Sequence, residues 1–343
     1  MKRYPYPYPW RELPGGIEEK AFLYMRFAEM SVKEKYLVEG ASQLVSINTA
    51  ADLINLTEQL DQFNFYYGAT DDASLGEYEA RYQANVKDDQ LPFLDLGRWG
   101  MDLREKSGGV FVSGGFVEQR SPDHMVYDGE NLGSLTGFHA SVRLKVSSCN
   151  CPAGIWIRLP DYEGFTQEPD ELKIAMAELG INKWDQALLL EAKCCFGNIT
   201  EIEDQYNSLE QLISDGGNLG YILEERNQEM ICLEERFQAA MELEGCNRLD
   251  EALDISQNLH CYDFIPLEKH WEKFGMDLVR KRKIINPDSV MNSYFDYAAY
   301  CRNEIMQGGL QQGCHGYISR NDKEFVYQFS KPYNHQQGLF FPI

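Results

Sequence analysis

Asn247-Arg248-Leu249-Asp250-Glu251-Ala252-Leu253-Asp254-Ile255-Ser256-Gln257-Asn258-Leu259 is the stretch on which the fold assignment turns. Leu249, Ala252, Leu253 and Leu259 are its inward positions, so a short helix with one apolar face is predicted over 249–259. A similar stretch, Asn48-Thr49-Ala50-Ala51-Asp52-Leu53-Ile54-Asn55-Leu56-Thr57-Glu58-Gln59-Leu60, lies 199 residues earlier. The same offset pairs Phe63-Asn64-Phe65 with Tyr262-Asp263-Phe264, and an offset of 201 pairs Phe93-Leu94-Asp95-Leu96 with Tyr294-Phe295-Asp296-Tyr297. Each series then reaches a glycine-punctuated hairpin, at Gly109-Val110-Phe111-Val112 and at Gly316-Tyr317-Ile318. Self-similarity at a fixed offset points to repetition, so a partial internal duplication is expected.

The segment between the two series reads differently. Ala140, Val142, Leu144 and Val146 alternate with polar residues, and Ile155-Trp156-Ile157-Arg158-Leu159 follows a turn, which predicts a β-hairpin ended by Pro160. A helix is predicted over 169–179, and Ser208-Leu209-Glu210-Gln211 has the form of a capping box opening another. Residues 221–244 form the longest helix candidate, with Leu223, Met230, Phe237 and Met241 on one face and Glu224, Glu235 and Glu242 on the other. Strands are predicted at 316–319 and 325–329. The expected organisation is an extended arm (1–17), a partial unit (18–120), a linker (121–138), an α+β hairpin domain (139–200), an acidic helical domain (201–268), a C-terminal α+β domain (269–331) and a tail (332–343). The fold class is α+β: elongated and multi-domain, with small antiparallel sheets beside helical bundles.

Charge narrows the function. Fifty-four acidic side chains against 32 basic ones leave a net charge of −22, and 43% of the chain is hydrophobic, enough for real cores. Residues 201–250 hold thirteen acids against three bases, and 51–100 hold ten against three. Such a surface repels nucleic acid and anionic membranes and favours basic partners. No run of roughly 18 apolar residues supports a membrane span. Arg280-Lys281-Arg282-Lys283 reads as the basic last turn of a helix. The nine cysteines are odd in number and their spacings do not suit zinc, so reduced thiols and no metal are expected. Six scattered histidines, with no Ser-His-acid grouping and no phosphate-binding loop, argue against an enzyme, and no cofactor is expected.

Three segments carry a family resemblance: Gly154-Ile155-Trp156-Ile157-Arg158-Leu159-Pro160, then His260-Cys261-Tyr262-Asp263-Phe264-Ile265-Pro266, and most specifically Ser293-Tyr294-Phe295-Asp296-Tyr297-Ala298-Ala299-Tyr300-Cys301-Arg302-Asn303. They resemble the ArdA family of antirestriction proteins, over about 139–330 well and over 48–118 weakly. Tyr294, Phe295, Asp296, Tyr297, Tyr300 and Arg302 match that family's antirestriction motif, whereas Cys301 stands where the family has Gly and Asn303 where it has Asp. Ala298 occupies a position that is often acidic.

The resemblance implies a curved, three-part protein borne on mobile elements and acting in the bacterial cytoplasm. Its carboxylates would imitate DNA phosphates and occupy the DNA site of type I restriction–modification enzymes. It also implies a homodimer, for which pairing of the two repeated units within one chain could substitute. The carboxylates expected to form that surface are Glu224, Glu225, Glu229, Glu234, Glu235, Glu242, Glu244, Asp250, Glu251 and Asp254, extended by Asp52, Glu58, Asp61, Asp71, Asp72, Glu77 and Glu79. The competing expectation is a structural or adaptor protein of a mobile element that keeps the fold without the mimicry.

Overall fold

The computed structural model describes residues 10–122, 124–132, 135, 141–161, 171–197, 199–200, 202–227, 230–286 and 290–330, without the side chains of Trp10 and of 224–227. The expected arm before residue 10, the tail after 330 and the start of the helix expected from 169 lie outside the described residues. The chain divides into two compact bodies, Met1–Glu191 and Ala192–Ile343. The class is α+β: among the described residues, twelve α-helices accompany three antiparallel sheets of three strands each.

The first body opens with α1 (Ile17–Glu29), α2 (Val32–Leu44) and α3 (Ala50–Thr57). Each start has a local cause. Ser31 accepts from Glu34 N while Glu34 returns a carboxylate to Ser31 N, a full capping box, and Thr49 and Asp52 do the same for α3. Next come β1 (Phe63–Tyr67), α4 (Asp72–Tyr78), α5 (Leu96–Ser107), β2 (Val110–Val112) and β3 (Gly115–Gln119). The sheet runs β1-β3-β2, with Phe65 opposite Val117 and Val112 opposite Gly115. Leu23, Leu53, Ile54, Phe65, Phe116 and Val117 are all within 1% of complete burial. Each such side chain stabilises by about 1.5–3 kcal/mol.

After this module come β4 (Val142–Ser147), β5 (Ile155–Leu159), α6 (Glu171–Leu179) and β6 (Leu188–Cys194), in a sheet ordered β5-β4-β6. The hairpin forms where the alternation predicts it, with Leu144 opposite Ile157. It packs on α2 of the preceding module rather than forming a core apart. Arg143, 1% exposed, reaches from β4 to Glu34 Oε1 at 3.1 Å and to the Glu29 carbonyl at 2.7 Å.

The second body contains α7 (Ile202–Gln205), α8 (Leu209–Asn227), α9 (Leu233–Glu244), α10 (Leu249–Gln257), β7 (Tyr262–Pro266), α11 (Trp271–Lys281), α12 (Tyr297–Gly308), β8 (Gln311–Gln312) and β9 (Gly316–Arg320). Its sheet runs β7-β9-β8, the order of the first module. The correspondence extends to single hydrogen bonds. Asn55 Oδ1 accepts from the amides of Val126 and Tyr127, and Asp254 Oδ1 accepts from those of Gln328 and Phe329. Gln59 exchanges two bonds with the His124 backbone, and Asn258 exchanges two with that of Val326. In each module an extended strap after the hairpin is thus pinned by two side chains of the short helix. In element order, α1 and α2 precede α3 as α8 and α9 precede α10.

Two sequence expectations are corrected. The helix expected over 221–244 is two helices: α8 ends at Asn227, α9 begins at Leu233, and Cys232 takes a left-handed φ of 56°. The seven-residue spacing of Leu223, Met230 and Phe237 suits either arrangement, so periodicity missed the break. The strand expected at 325–329 is the strap; its amides go to Asp254 and Asn258 rather than to a neighbouring strand.

Candidate partner-binding surface

The helix break removes the single line of carboxylates expected along 221–244. Glu224 and Glu225 belong to α8 by backbone, but their side chains, and all of Glu229, lie outside the described residues. On α9, Glu234 is exposed and accepts from the Gln238 amide at 3.0 Å, and Glu235 stands 3.7 Å from the His270 imidazole. Glu242 is committed to the Cys314 amide at 2.9 Å. Glu244 accepts from the Tyr262 hydroxyl at 2.9 Å and from Arg320 Nε at 2.7 Å. Asp250 takes both arms of Arg248, at 3.0 and 2.9 Å. Glu251 is half-buried.

Two expected surface carboxylates are corrected outright. Asp254 is 1% exposed and accepts from three strap amides and the Ser330 hydroxyl. Glu58 is buried with its Oε1 3.7 Å from Arg26 Nε. Asp254 supplies a buried acceptor for the strap, and Glu58 a buried counter-charge for Arg26.

The first module uses its other acids in a similar way. Asp52 accepts from the Asn48 and Thr49 amides, both at 2.9 Å, and Asp71 caps α4 through the Ser74 amide at 2.7 Å. Asp72 pairs with Arg104 and Glu77 with Arg81, each at 2.8 Å. Burial raises the Glu79 carboxyl above its usual range, with the Glu118 charge adding. Asp61 is exposed and accepts from its neighbour Gln62.

The motif residues of 294–302 hold the fold together. Asp296 caps α12 through the Ala299 amide at 2.7 Å, as Asp95 caps α5 through Arg98 at 3.1 Å. Tyr297 is 4% exposed and clusters with Val279 and Ile285, against which Phe295 and Tyr300 pack. The Tyr300 hydroxyl accepts from Arg282 at 3.0 Å, and Arg302 lies 5.7 Å from the Trp271 ring centroid. Cys301, at the family's glycine position, is buried between helices. In the first module Gly100 stands there, and a Cβ on it would lie 1.7 Å from the Asp72 carbonyl oxygen. In the second module Cys301 faces Gly275, where a Cβ would lie 2.6 Å from the Tyr297 carbonyl oxygen and 3.1 Å from Cys301 Sγ.

Tyr294 is exposed at 86%, and its counterpart Phe93 at 87%; Asp296 and Arg302 are exposed as well, but make the cap and ring contacts just given. The sequence pairing contains these two rings, but only the structure gives their exposure. The signal available beforehand was an aromatic residue two positions ahead of an Asp cap in both series.

The strongest electrostatic cluster is internal. Burial by itself would raise the Glu34 carboxyl, but Arg26 at 2.8 Å and Arg143 at 3.1 Å hold it well below its usual range. Glu171, also buried, is pushed up to about 7 by desolvation, with the Glu34 charge adding. Among the described residues no group of three or more His, Cys, Asp or Glu could hold a metal ion, and no helix is long and apolar enough to cross a membrane. No family model, curated protein or solved structure matches the chain.

Proposed function

We propose that the protein is a non-enzymatic inhibitor that occupies the DNA site of a type I restriction–modification enzyme, presenting carboxylates where DNA presents phosphates. One observation carries this reading: the fold has more negative charge than it can cancel. With 54 acids and 32 bases, pairing every base still leaves −22. Among the described residues only Glu34, Glu58, Glu171, Asp215 and Asp254 are buried carboxylates. DNA-binding enzymes gain most of their non-specific affinity by neutralising phosphates with Lys and Arg, and a rigid anionic surface draws on the same term.

The exposed carboxylates include two that the sequence predicts for this role, Glu234 and Asp61, and three that it does not, Glu203, Asp204 and Glu210. Glu203, Asp204, Glu210 and Glu234 are exposed on α7, α8 and α9 of the second body, and Asp61 is exposed on the first. Competition between the protein and a DNA duplex for a purified type I enzyme tests the reading. Neutralising Glu203, Asp204, Glu210 and Glu234 together to Gln or Asn is expected to weaken competition about tenfold or more. Failure of the unaltered protein to compete would contradict it.

The adaptor reading has its own support. Asp72, Glu77, Glu244 and Asp250 are paired with arginines, while Phe93 and Tyr294 stand exposed at equivalent places. An adaptor binding through those rings would lose its partner when both become Ser and would tolerate the fourfold carboxylate change.

A further inference from the structure

α1 is apolar on two sides. Leu23 and Phe27 face the core of the first module and are buried. On the outer side Ile17, Ala21, Tyr24, Met25 and Ala28 are all exposed, with Glu18 beside them. The steps from Ile17 to Ala21, Tyr24 and Ala28 alternate between four and three residues, which keeps these side chains in one line along the helix. Ile17 is 89% exposed, Met25 64% and Tyr24 59%.

An exposed helix face ordinarily carries polar side chains. On α8 of the second body the described exposed positions are Glu210, Gln211 and Ser214. Helix propensity does not account for the stripe on α1 either, because Lys, Glu or Gln would serve better than Ile or Tyr where nothing packs. At these exposures the stripe presents roughly 500 Å2 of contiguous apolar surface, the size at which a patch marks an interaction surface rather than scattered exposure.

A second copy of the chain fits this stripe on three counts. Two such stripes bury about 1,000 Å2 together, the lower bound of a specific protein–protein contact. Antiparallel pairing about a twofold axis at the level of Phe22 and Leu23 sets Ile17 against Ala28 of the second copy and Ala21 against its Tyr24, so large meets small along the contact. Finally, copies carrying −22 each repel one another, and the stripe lets them meet without desolvating a carboxylate.

We propose that α1 is a homodimer contact, in which the outer stripe of one copy packs against the same stripe of a second. The contact is independent of the inhibitor reading.

The test is sedimentation equilibrium of the full chain between about 1 and 200 μM, at about 50 and 500 mM salt. A reversible monomer–dimer equilibrium with a micromolar dissociation constant is expected, in keeping with the small area. It should tighten about threefold or more at the higher salt, because salt screens the repulsion between copies and leaves the apolar contact in place. Ala21→Glu and Tyr24→Glu should each weaken dimerisation about tenfold or more, by placing a charge in the contact. Neither should alter thermal unfolding of the dilute chain, since both positions face solvent. Phe93→Ser and Tyr294→Ser, which remove exposed rings elsewhere, should leave the dimer intact. A chain that stays monomeric to about 200 μM at both salt concentrations overturns the proposal, and would leave the stripe to another protein or to residues 1–9 of the same chain. A dimer that survives both α1 variants, one lost on Phe93→Ser or Tyr294→Ser instead, or one weakened by salt overturns it as well.

Discussion

At position 58 the first module carries a buried glutamate; at the equivalent position, 257, the second carries a half-buried glutamine. At 55 and 254 the contrast reverses, with neutral Asn55 in the first module and buried Asp254 in the second. In the first, Glu58 and Glu34 gather around Arg26, and Arg143 of the hairpin joins them. In the second, Glu235 on α9 stands 3.7 Å from His270 with both side chains about one-third exposed. One scaffold thus serves two uses of charge. The first module spends carboxylates inside, where they fasten an additional sheet to α2. The second leaves Glu235 partly exposed and buries Asp215 and Asp254 instead. Low overall pI therefore says little about where a particular carboxylate works.

The largest expected effect strikes the internal cluster. Glu34→Ala leaves two buried guanidinium groups without their shared anion, and a loss of about 3–5 kcal/mol is expected in urea unfolding. The corresponding Glu235→Ala should change stability by less than about 1 kcal/mol. Similar losses for both would erase the contrast.

The helix contacts provide the next comparison. Gly100→Cys should destabilise by about 2–3 kcal/mol, because its Cβ meets the Asp72 carbonyl, whereas Cys301→Gly should cost about 1–2 kcal/mol through lost packing and helix propensity. Thermal unfolding of the two variants checks the order.

Glu171 sharpens the comparison through pH. Its folded carboxyl titrates at about 7 against an ordinary 4.5, so between those values the folded state holds a proton that the unfolded chain has released. Its contribution is fully present below the unfolded value and is lost as pH rises through about 7. Glu171→Gln should therefore flatten the fall in stability between about pH 5 and pH 8, raising stability at the upper end by on the order of 2 kcal/mol. Urea unfolding at several pH values reads this directly, and an unchanged slope would contradict it.

The smallest effect concerns the straps. Asp254→Asn replaces one acceptor oxygen by an NH2 group that faces donors, the strap N–H groups and the Ser330 hydroxyl, and about 1–2 kcal/mol should be lost. Hydrogen exchange at Gln328, Phe329 and Ser330 should accelerate, while the Val126 and Tyr127 amides should be unaffected.

Much of this architecture is legible in the sequence. Alternation at 142–146 gives the β4–β5 hairpin, and Leu249, Ala252 and Leu253 give α10, because burial on one face leaves a periodic trace. The missed features leave none. Phe325, Tyr327 and Phe329 alternate like a strand, yet side-chain acceptors 68 to 75 residues away claim that backbone. The motif at 294–302 was readable as a motif, but a cap, a core ring and a helix contact become distinguishable only once α11 lies beside α12. Asp254 and Glu58 look like any surface acid until the strap and Arg26 are in place.

The central claim, that anionic groups on this scaffold replace a nucleic-acid backbone, is tested most directly by the affinity for a purified type I restriction–modification enzyme as a function of salt. The account predicts binding at about 50 mM salt that weakens by tenfold or more by about 200 mM, with a linear dependence of log K on log salt. No binding at the lower concentration, or an affinity indifferent to salt, would contradict it.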